Sequence, residues 1–332
     1  GTQNPEGAMA TAAEVAGVDP SRVFVHNCFL GGGFGRRFRG DDVRMAVTIA
    51  KELDRPVKMV WSREEDMRQG AMRPMATIRF RAGLDQSGKP VAWWNRIVCD
   101  SIFAGFRPEA IQNGVDRTSV EGLQHLPYAI PAQHIDYVQR NTHVPVWFWR
   151  SVGSSQNAFA LESFIDELAF AAGRDPYEYR RELLAGKADW LKVLDTAAEK
   201  GDWGKPLPQG KARGIAIHEC FGSIVGQVIE LALTRSGELR VERVVCAVDC
   251  GNVVNPLNVA MQMESSGAYG LTAALYGEIT IERGRVVQRN FDDYEMLRLD
   301  EMPVVETHLA LSGGEKWGGI GEPGLPPVGP AV

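Results

Sequence analysis

Gly31-Gly32-Gly33-Phe34-Gly35-Arg36-Arg37-Phe38 puts four glycines in five residues ahead of two arginines. Upstream, Arg22-Val23-Phe24-Val25-His26-Asn27-Cys28 reads as a strand. Downstream, Asp41 to Leu53 carries Val43, Ala46, Val47, Ile49, Ala50 and Leu53 at helical spacing, with Asp41 and Asp42 in the first turn. Val57-Lys58-Met59-Val60-Trp61 reads as a second short strand. The order is strand, glycine loop, helix, strand. Such a loop can hold an anion on backbone N–H groups at a helix start, and Arg36 and Arg37 favour one. The plainer reading of the glycines is a tight turn. The dinucleotide fingerprint fails, because the sixth position from Gly31 is Arg36, and the Lys-Ser/Thr pair of a P-loop is missing. A nicotinamide enzyme is therefore a poor fit.

Working outward, Gly7 to Gly17 is helix-forming, with Gly17 suited to end the helix. Ala76–Gly83 and Pro90–Cys99 read as paired strands across Asp85-Gln86-Ser87-Gly88. Residues 100–149 are irregular but rich in aromatics, which predicts packing rather than disorder. Asn157 to Ala172 has the apolar stripe Phe159, Leu161, Phe164, Ile165, Leu168 and Ala169. Asp175-Pro176 opens a further helix to Leu184, and another spans Asp189–Lys200. After the Gly/Pro stretch 201–210 come the strands Ala212–Cys220, Gln227–Leu233 and Leu239–Asp249. Asn255-Pro256 begins a helix toward Leu275, and a hairpin (Gly277–Glu282, Val286–Asn290) turns at Arg283-Gly284. The change of character sets a soft boundary near residue 205.

The chain has 332 residues, long enough for about two domains, and 44% hydrophobic content supports a real core. A net charge of −6 disfavours nucleic acid and anionic membrane surfaces. No apolar run approaches the roughly 20 residues of a membrane span. The five cysteines (Cys28, Cys99, Cys220, Cys246, Cys250) form no CxxC pair and read as buried free thiols. The six histidines are scattered, so a metal held by side chains is not expected.

Near the end, Gly318-Gly319-Ile320-Gly321-Glu322-Pro323-Gly324-Leu325-Pro326-Pro327 sets one carboxylate among four glycines and three prolines. A stiff loop presenting a single acid can aim a general base. Alone, the stretch reads more readily as an ordinary Gly/Pro surface loop with a solvated Glu.

Taken in order, Thr2-Gln3-Asn4, the GGGFGRR loop, Arg150-Ser-Val-Gly-Ser-Ser-Gln156, Glu162–Ala169, Val248-Asp-Cys-Gly-Asn-Val-Val-Asn-Pro256 and Gly321-Glu322-Pro323-Gly324 resemble the molybdenum-binding large subunit of the xanthine dehydrogenase and aldehyde oxidase family. The GGGFGRR and GEPGLPP forms look most like the isoquinoline 1-oxidoreductase β-subunit branch. The resemblance implies an α+β fold with two molybdopterin-binding subdomains, residues 1–205 with the glycine loop and helical block, and residues 206–332 with the Glu322 loop. It implies a molybdopterin, in the cytosine dinucleotide form, whose Mo is held by the pterin rather than by side chains. It matches Gln3, Gly32, Gly33, Phe34, Gly35, Arg36 and Arg150 to cofactor-proximal positions and Glu322 to the catalytic base. The implied activity is oxidation of an N-heteroaromatic or aldehyde, with electrons leaving through iron–sulfur clusters on a small partner subunit of the 2Fe-2S type, alone or with a cytochrome c. The compartment stays open between cytoplasm and periplasm.

Three departures stand out. Arg36-Arg37 replaces the Lys-Glu of purine-oxidising members, so purine is a poor substrate. Met263-Glu264-Ser265-Ser266-Gly267 replaces a more glycine-rich pattern. The family's GQG cofactor segment is not found in this chain, and relatives continue beyond Val332. The expectation is a part of a larger subunit, with several hundred residues preceding Gly1. The rival expectation is a scaffold that binds no cofactor without that remainder.

Overall fold

Asn4 starts the first helix, α1 (Pro5–Ala16), by a side-chain cap: its Oδ1 accepts the Gly7 N–H at 2.9 Å. Pro5 takes the first turn, where a missing N–H costs nothing, and Gly17 ends the helix at φ 71°. The computed structural model describes every residue from Gly1 to Val332 and divides them into two compact units. The first comprises Gly1–Pro74, Thr142–Arg150 and Ile279–Asp293. Within it α2 (Asp41–Leu53) lies against α1, and Arg44 donates to both oxygens of Glu14 at 3.2 and 3.0 Å. The helix α3 (Arg63–Gln69), capped by Ser62, and the short hairpin β7 (Ile281–Glu282) and β8 (Arg285–Val286) complete the unit.

The second unit comprises Met75–Asn141, Ser151–Glu278 and Tyr294–Val332. Its first hairpin joins β1 (Ala76–Leu84) to β2 (Pro90–Cys99). The Asp85 carboxylate accepts the N–H of Ser87 at 2.8 Å and of Lys89 at 3.0 Å, which closes the turn. The strand β3 (Ala132–Gln139) adds to β2 in parallel, after the short helices α4 (Ile102–Phe106) and α5 (Arg117–Val120). Three helices follow: α6 (Ser154–Ala171), α7 (Pro176–Leu183) and α8 (Ala188–Lys200). A four-stranded sheet then runs β4 (Lys211–Cys220), β5 (Ser223–Leu233), β6 (Leu239–Asp249), β9 (Val304–Leu309) in spatial order. The helices α9 (Pro256–Leu275) and α10 (Val328–Ala331) belong with this sheet.

This sheet is covered on both faces. Ile215, Ile217, Ile224, Val228, Val245 and Ala247 face Leu161, Ile165, Val193 and Leu194 of α6 and α8. The alternate residues Ala216, Val225, Ile229, Val244, Cys246 and Val248 face Met263 and Leu271 of α9 and Val328 of α10. Double coverage is why these strands read as continuous apolar runs rather than alternating ones. The architecture is α+β. Residue 205 lies inside the second unit, and the core of Val193 and Leu194 with Ile215 and Val228 runs across it.

Several sequence-based expectations need correction. Residues 22–28 and 57–61 form no strand; residues 24–30 are all exposed and have no strand partner, so the apolar alternation there has no sheet to join. For the same reason Cys28 is exposed, while Cys99, Cys220, Cys246 and Cys250 are buried free thiols. The hairpin at 277–290 shrinks to two residues a side. The irregular stretch 100–149 contains β3, and β9 had no sequence signal of its own. No helix is long and apolar enough to cross a membrane.

One buried ion pair ties the helical layer to the sheet. Arg180 on α7 and Glu162 on α6 are both fully buried, with Nε to Oε2 at 2.9 Å. Arg180 also pairs with Asp166 and donates to the carbonyls of Glu162 at 3.0 Å and Pro176 at 3.2 Å. Glu162 accepts the Tyr128 hydroxyl at 2.6 Å and the Ile217 N–H of β4 at 3.1 Å. Removing Arg180 leaves the buried Glu162 charge without its counter-ion, so Arg180→Met should cost about 3–5 kcal/mol. Urea denaturation of the variant measures this; a loss below ~1 kcal/mol would mean that the network relaxes without Arg180.

Candidate active site

In the first unit the glycine loop is folded by its own backbone demands. Gly32 and Gly35 have φ of 131° and 89°, and between them Phe34 sits at φ 52°, uncommon for a residue with a side chain. A Cβ on Gly35 would lie 2.4 Å from the Phe148 carbonyl oxygen, and one on Gly33 would lie 2.2 Å from the Gln3 side chain. Gln3 is stitched to the loop twice. Its N–H donates to the Arg37 carbonyl at 3.0 Å, and its Oε1 accepts the Gly35 N–H at 3.1 Å. That second bond fixes the amide orientation and leaves Nε2 as a donor. The Arg150 guanidinium is buried 6.0 Å over the Phe34 ring. Gln3, Gly33, Phe34, Gly35 and Arg150 are thus brought together in this unit. Arg36 is engaged differently: it pairs with Asp41 in the first turn of α2 at 3.0 Å.

In the second unit Glu322 is held by a loop that the core grips from several sides. Gly318 N–H donates to the Cys250 carbonyl, and Gly319 N–H to the Phe221 carbonyl, each at 2.9 Å. Ser223 Oγ donates to the Gly319 carbonyl at 2.6 Å, and Gln227 Nε2 to the Gly324 carbonyl at 2.7 Å. Pro323 to Pro327 are buried, while Glu322 is partly exposed. Its Oε1 accepts the Ser151 N–H at 2.8 Å, and its carbonyl accepts the Ser151 hydroxyl at 2.7 Å. Ser151 and Val152 have φ of 71° and 45°. A β-branched residue there is strained, on the order of 1–3 kcal/mol, and persists only because its surroundings fix it.

Sequence reasoning passed over two residues of this site. Ser151 was part of a quoted motif but had no role, and Glu121 follows α5 with no local signal at all. Glu121 Oε2 accepts the Gly153 N–H at 3.3 Å. Burial, reinforced by the Glu322 and Asp116 charges, pushes its carboxyl up to about 7. His218 on β4 packs on the neighbouring Gly122, where a Cβ would meet its ring at 2.6 Å. Burial lowers the His218 imidazole to about 4.

Two profiles of the molybdopterin cofactor-binding domain match, over residues 1–184 and 220–303. The chain belongs to the molybdopterin-binding subunits of the xanthine dehydrogenase family. It is 32% identical to isoquinoline 1-oxidoreductase subunit beta of Brevundimonas diminuta, over 100% of this chain and 43% of that protein. It is 29% identical to the membrane-bound aldehyde dehydrogenase (pyrroloquinoline-quinone) of Gluconacetobacter polyoxogenes, over 98% of this chain and 45% of that one. The chain spans less than half the length of these curated relatives. Its fold matches quinoline 2-oxidoreductase from Pseudomonas putida 86 with a TM-score of 0.83 at 13% identity, over 99% of this chain and 67% of that one.

The residues present fit a molybdopterin. Gln3 keeps its Nε2 as a donor beside the glycine loop, and a side chain added at Gly31 or at Gly321 would meet nothing within 4 Å, so each loop borders open space. A Val at Gly35 would collide with the Phe148 carbonyl and could not adopt φ 89°. Gly35→Val should therefore lower molybdenum content per protein, read by elemental analysis; full occupancy and normal turnover would reduce the loop to a simple turn.

Glu121 and His218 also oppose each other in stability. A carboxyl raised from 4.5 to about 7 favours the fold at low pH, and that advantage is lost as pH rises toward 7. An imidazole lowered from 6.5 to about 4 does the reverse, losing stability as pH falls below 6.5. Each shift is worth on the order of 3 kcal/mol. Relative to wild type, Glu121→Gln should gain melting temperature at pH 8 over pH 5, and His218→Gln should gain it at pH 5 over pH 8. Parallel curves for all three proteins would refute both assignments.

Proposed function

We propose that the chain serves a molybdenum hydroxylase that oxidises an N-heteroaromatic compound or an aldehyde, with Glu322 as general base. The observation that carries this reading is the fixed carboxylate: Glu322 Oε1 is tied to the Ser151 N–H at 2.8 Å in a loop gripped by β4, β5 and the end of β6. Relatives named for an isoquinoline and for an aldehyde support the substrate class. The molybdopterin, taken here in its cytosine dinucleotide form, supplies when bound a two-electron oxidation that adds oxygen derived from water. Iron–sulfur clusters on a small 2Fe-2S partner subunit carry the electrons away, with or without a cytochrome c.

The chain's own residues handle the proton and the geometry. With Oε1 occupied by the Ser151 N–H, Oε2 of Glu322 is the oxygen that takes the proton from the attacking oxygen nucleophile. Pro323 directly after Glu322 restricts its backbone, removing freedom that a surface glutamate would have, so the base is aimed before substrate arrives. Within the first unit Gln3 Nε2 would serve as a donor to an oxygen of that group, and the Phe34–Arg150 contact holds the glycine loop.

Glu322→Gln keeps size and the Ser151 contact but removes the basic oxygen. In the cofactor-loaded holoenzyme, turnover should fall by roughly 10²–10⁴-fold with molybdenum content unchanged. Turnover within a few-fold of wild type at full loading would remove Glu322 from the mechanism. Loss of both activity and molybdenum would make the loop structural instead.

A further inference from the structure

The turn at Ser151–Gly153 offers N–H groups to two carboxyls, and the mechanism above uses one of them. Ser151 N–H meets Glu322 Oε1 at 2.8 Å, and Gly153 N–H, two residues on, meets Glu121 Oε2 at 3.3 Å. The turn cannot relax easily. Gly153 lies so close to the chain before it that a Cβ would be 2.2 Å from the Thr118 carbonyl oxygen. Glu121 is clamped as well: Asn157 Nδ2 donates to its carbonyl at 2.8 Å, and His218 packs on the next residue.

Four titratable groups surround Glu121, and they come from three elements. Glu322 arrives from the last loop, Asp116 from the start of α5, Cys220 from the end of β4 and His218 from within β4. Burial keeps His218 neutral, and the Cys220 thiol is pushed well above its usual range by burial. The charges acting on Glu121 are therefore the negative ones of Glu322 and Asp116.

We propose that Glu121 is a positioning residue for Glu322, the two carboxyls forming a pair on one turn that carries a single negative charge. Resting on the reading of Glu322 as the base, the pair works as follows. Glu121 holds a proton while Glu322 is ionised. When Glu322 takes a proton, its share of the repulsion is lost, and Glu121, raised mainly by burial, holds its own proton less tightly. A second full charge beside the base is avoided throughout. The burial that raises Glu121 to about 7 supports this division of roles.

Infrared pH titration of the protein tests it, following the protonated-carboxyl C=O band. In wild type a band should disappear with a midpoint near 7. Glu121→Gln should abolish that band. Glu322→Gln should keep it but move its midpoint down by at least about half a pH unit, because the like charge is gone. A merely structural Glu121 would not sense Glu322. Absence of any carboxyl titrating near neutrality in wild type overturns the proposal without recourse to variants. So does an unmoved midpoint in Glu322→Gln, or a band that survives Glu121→Gln. Normal turnover of a molybdenum-loaded Glu322→Gln protein would instead refute Glu322 as base, leaving the midpoint shift intact as evidence for the pair.

Discussion

The buried pair of Arg180 and Glu162 is the constraint on which the second unit depends. Taking two charges out of water costs several kcal/mol per ion, and attraction repays this only if every remaining donor and lone pair is used. Here most of them are: Asp166, two carbonyls, the Tyr128 hydroxyl and the Ile217 N–H join the network. Its worth lies in specificity. Any other packing of α6 against α7 or β4 would strand a charge in the core, so these elements have one arrangement. The aromatic cluster of Phe80, Trp93 and Phe164, with ring centroids 5.0–5.3 Å apart, then fixes α6 against β1 and β2.

That arrangement reaches the chemistry through the chain itself. The helix α6 begins at Ser154, directly after the strained residues Ser151 and Val152. A helix free to slide would let those residues relax to ordinary dihedrals, and the N–H groups aimed at Glu322 and Glu121 would turn away. The strain is offset by the packing of α6 and yields two donors held at fixed positions, which is how a folded core preorganises a proton-transferring group. The loop of Glu322 is fixed from the other direction, by the turn after β4, by Gln227 on β5 and by close contact of Gly324 with Ser266 on α9.

The first unit is built differently. Its buried apolar residues are Ala8, Ala13 and Trp147, and α2 buries none of its residues fully. Shape there comes instead from backbone rules: helix caps at Asn4 and Ser62, positive-φ glycines, and the stitch of Gln3 to the glycine loop. Glycine earns its place at residue 35 on two counts, dihedral and clearance, whereas Arg36 and Arg37 serve the start of α2 by pairing with Asp41 and Asp42.

The sequence by itself determined whatever is encoded over a few residues. Helix periodicity, the helix starts at Asp175 and Asn255, the Asp85 turn and the strands β4–β6 were legible, because each is a local demand on dihedrals or side-chain spacing. The single carboxylate in the last loop and the crowded glycines were legible for the same reason. Only the tertiary structure decided which patterns found partners. Residues 22–28 have a strand's pattern and no neighbour to pair with, while β3 and β9 became strands by joining β2 and β6. Nor could any local signal announce Glu121. Its meeting with the turn at 151–153, and that turn's bond to Glu322 across 171 residues, exist only because the core brings those backbones together. Hydrogen bonds between distant segments leave no periodicity behind in the chain, so they become readable only once it has folded.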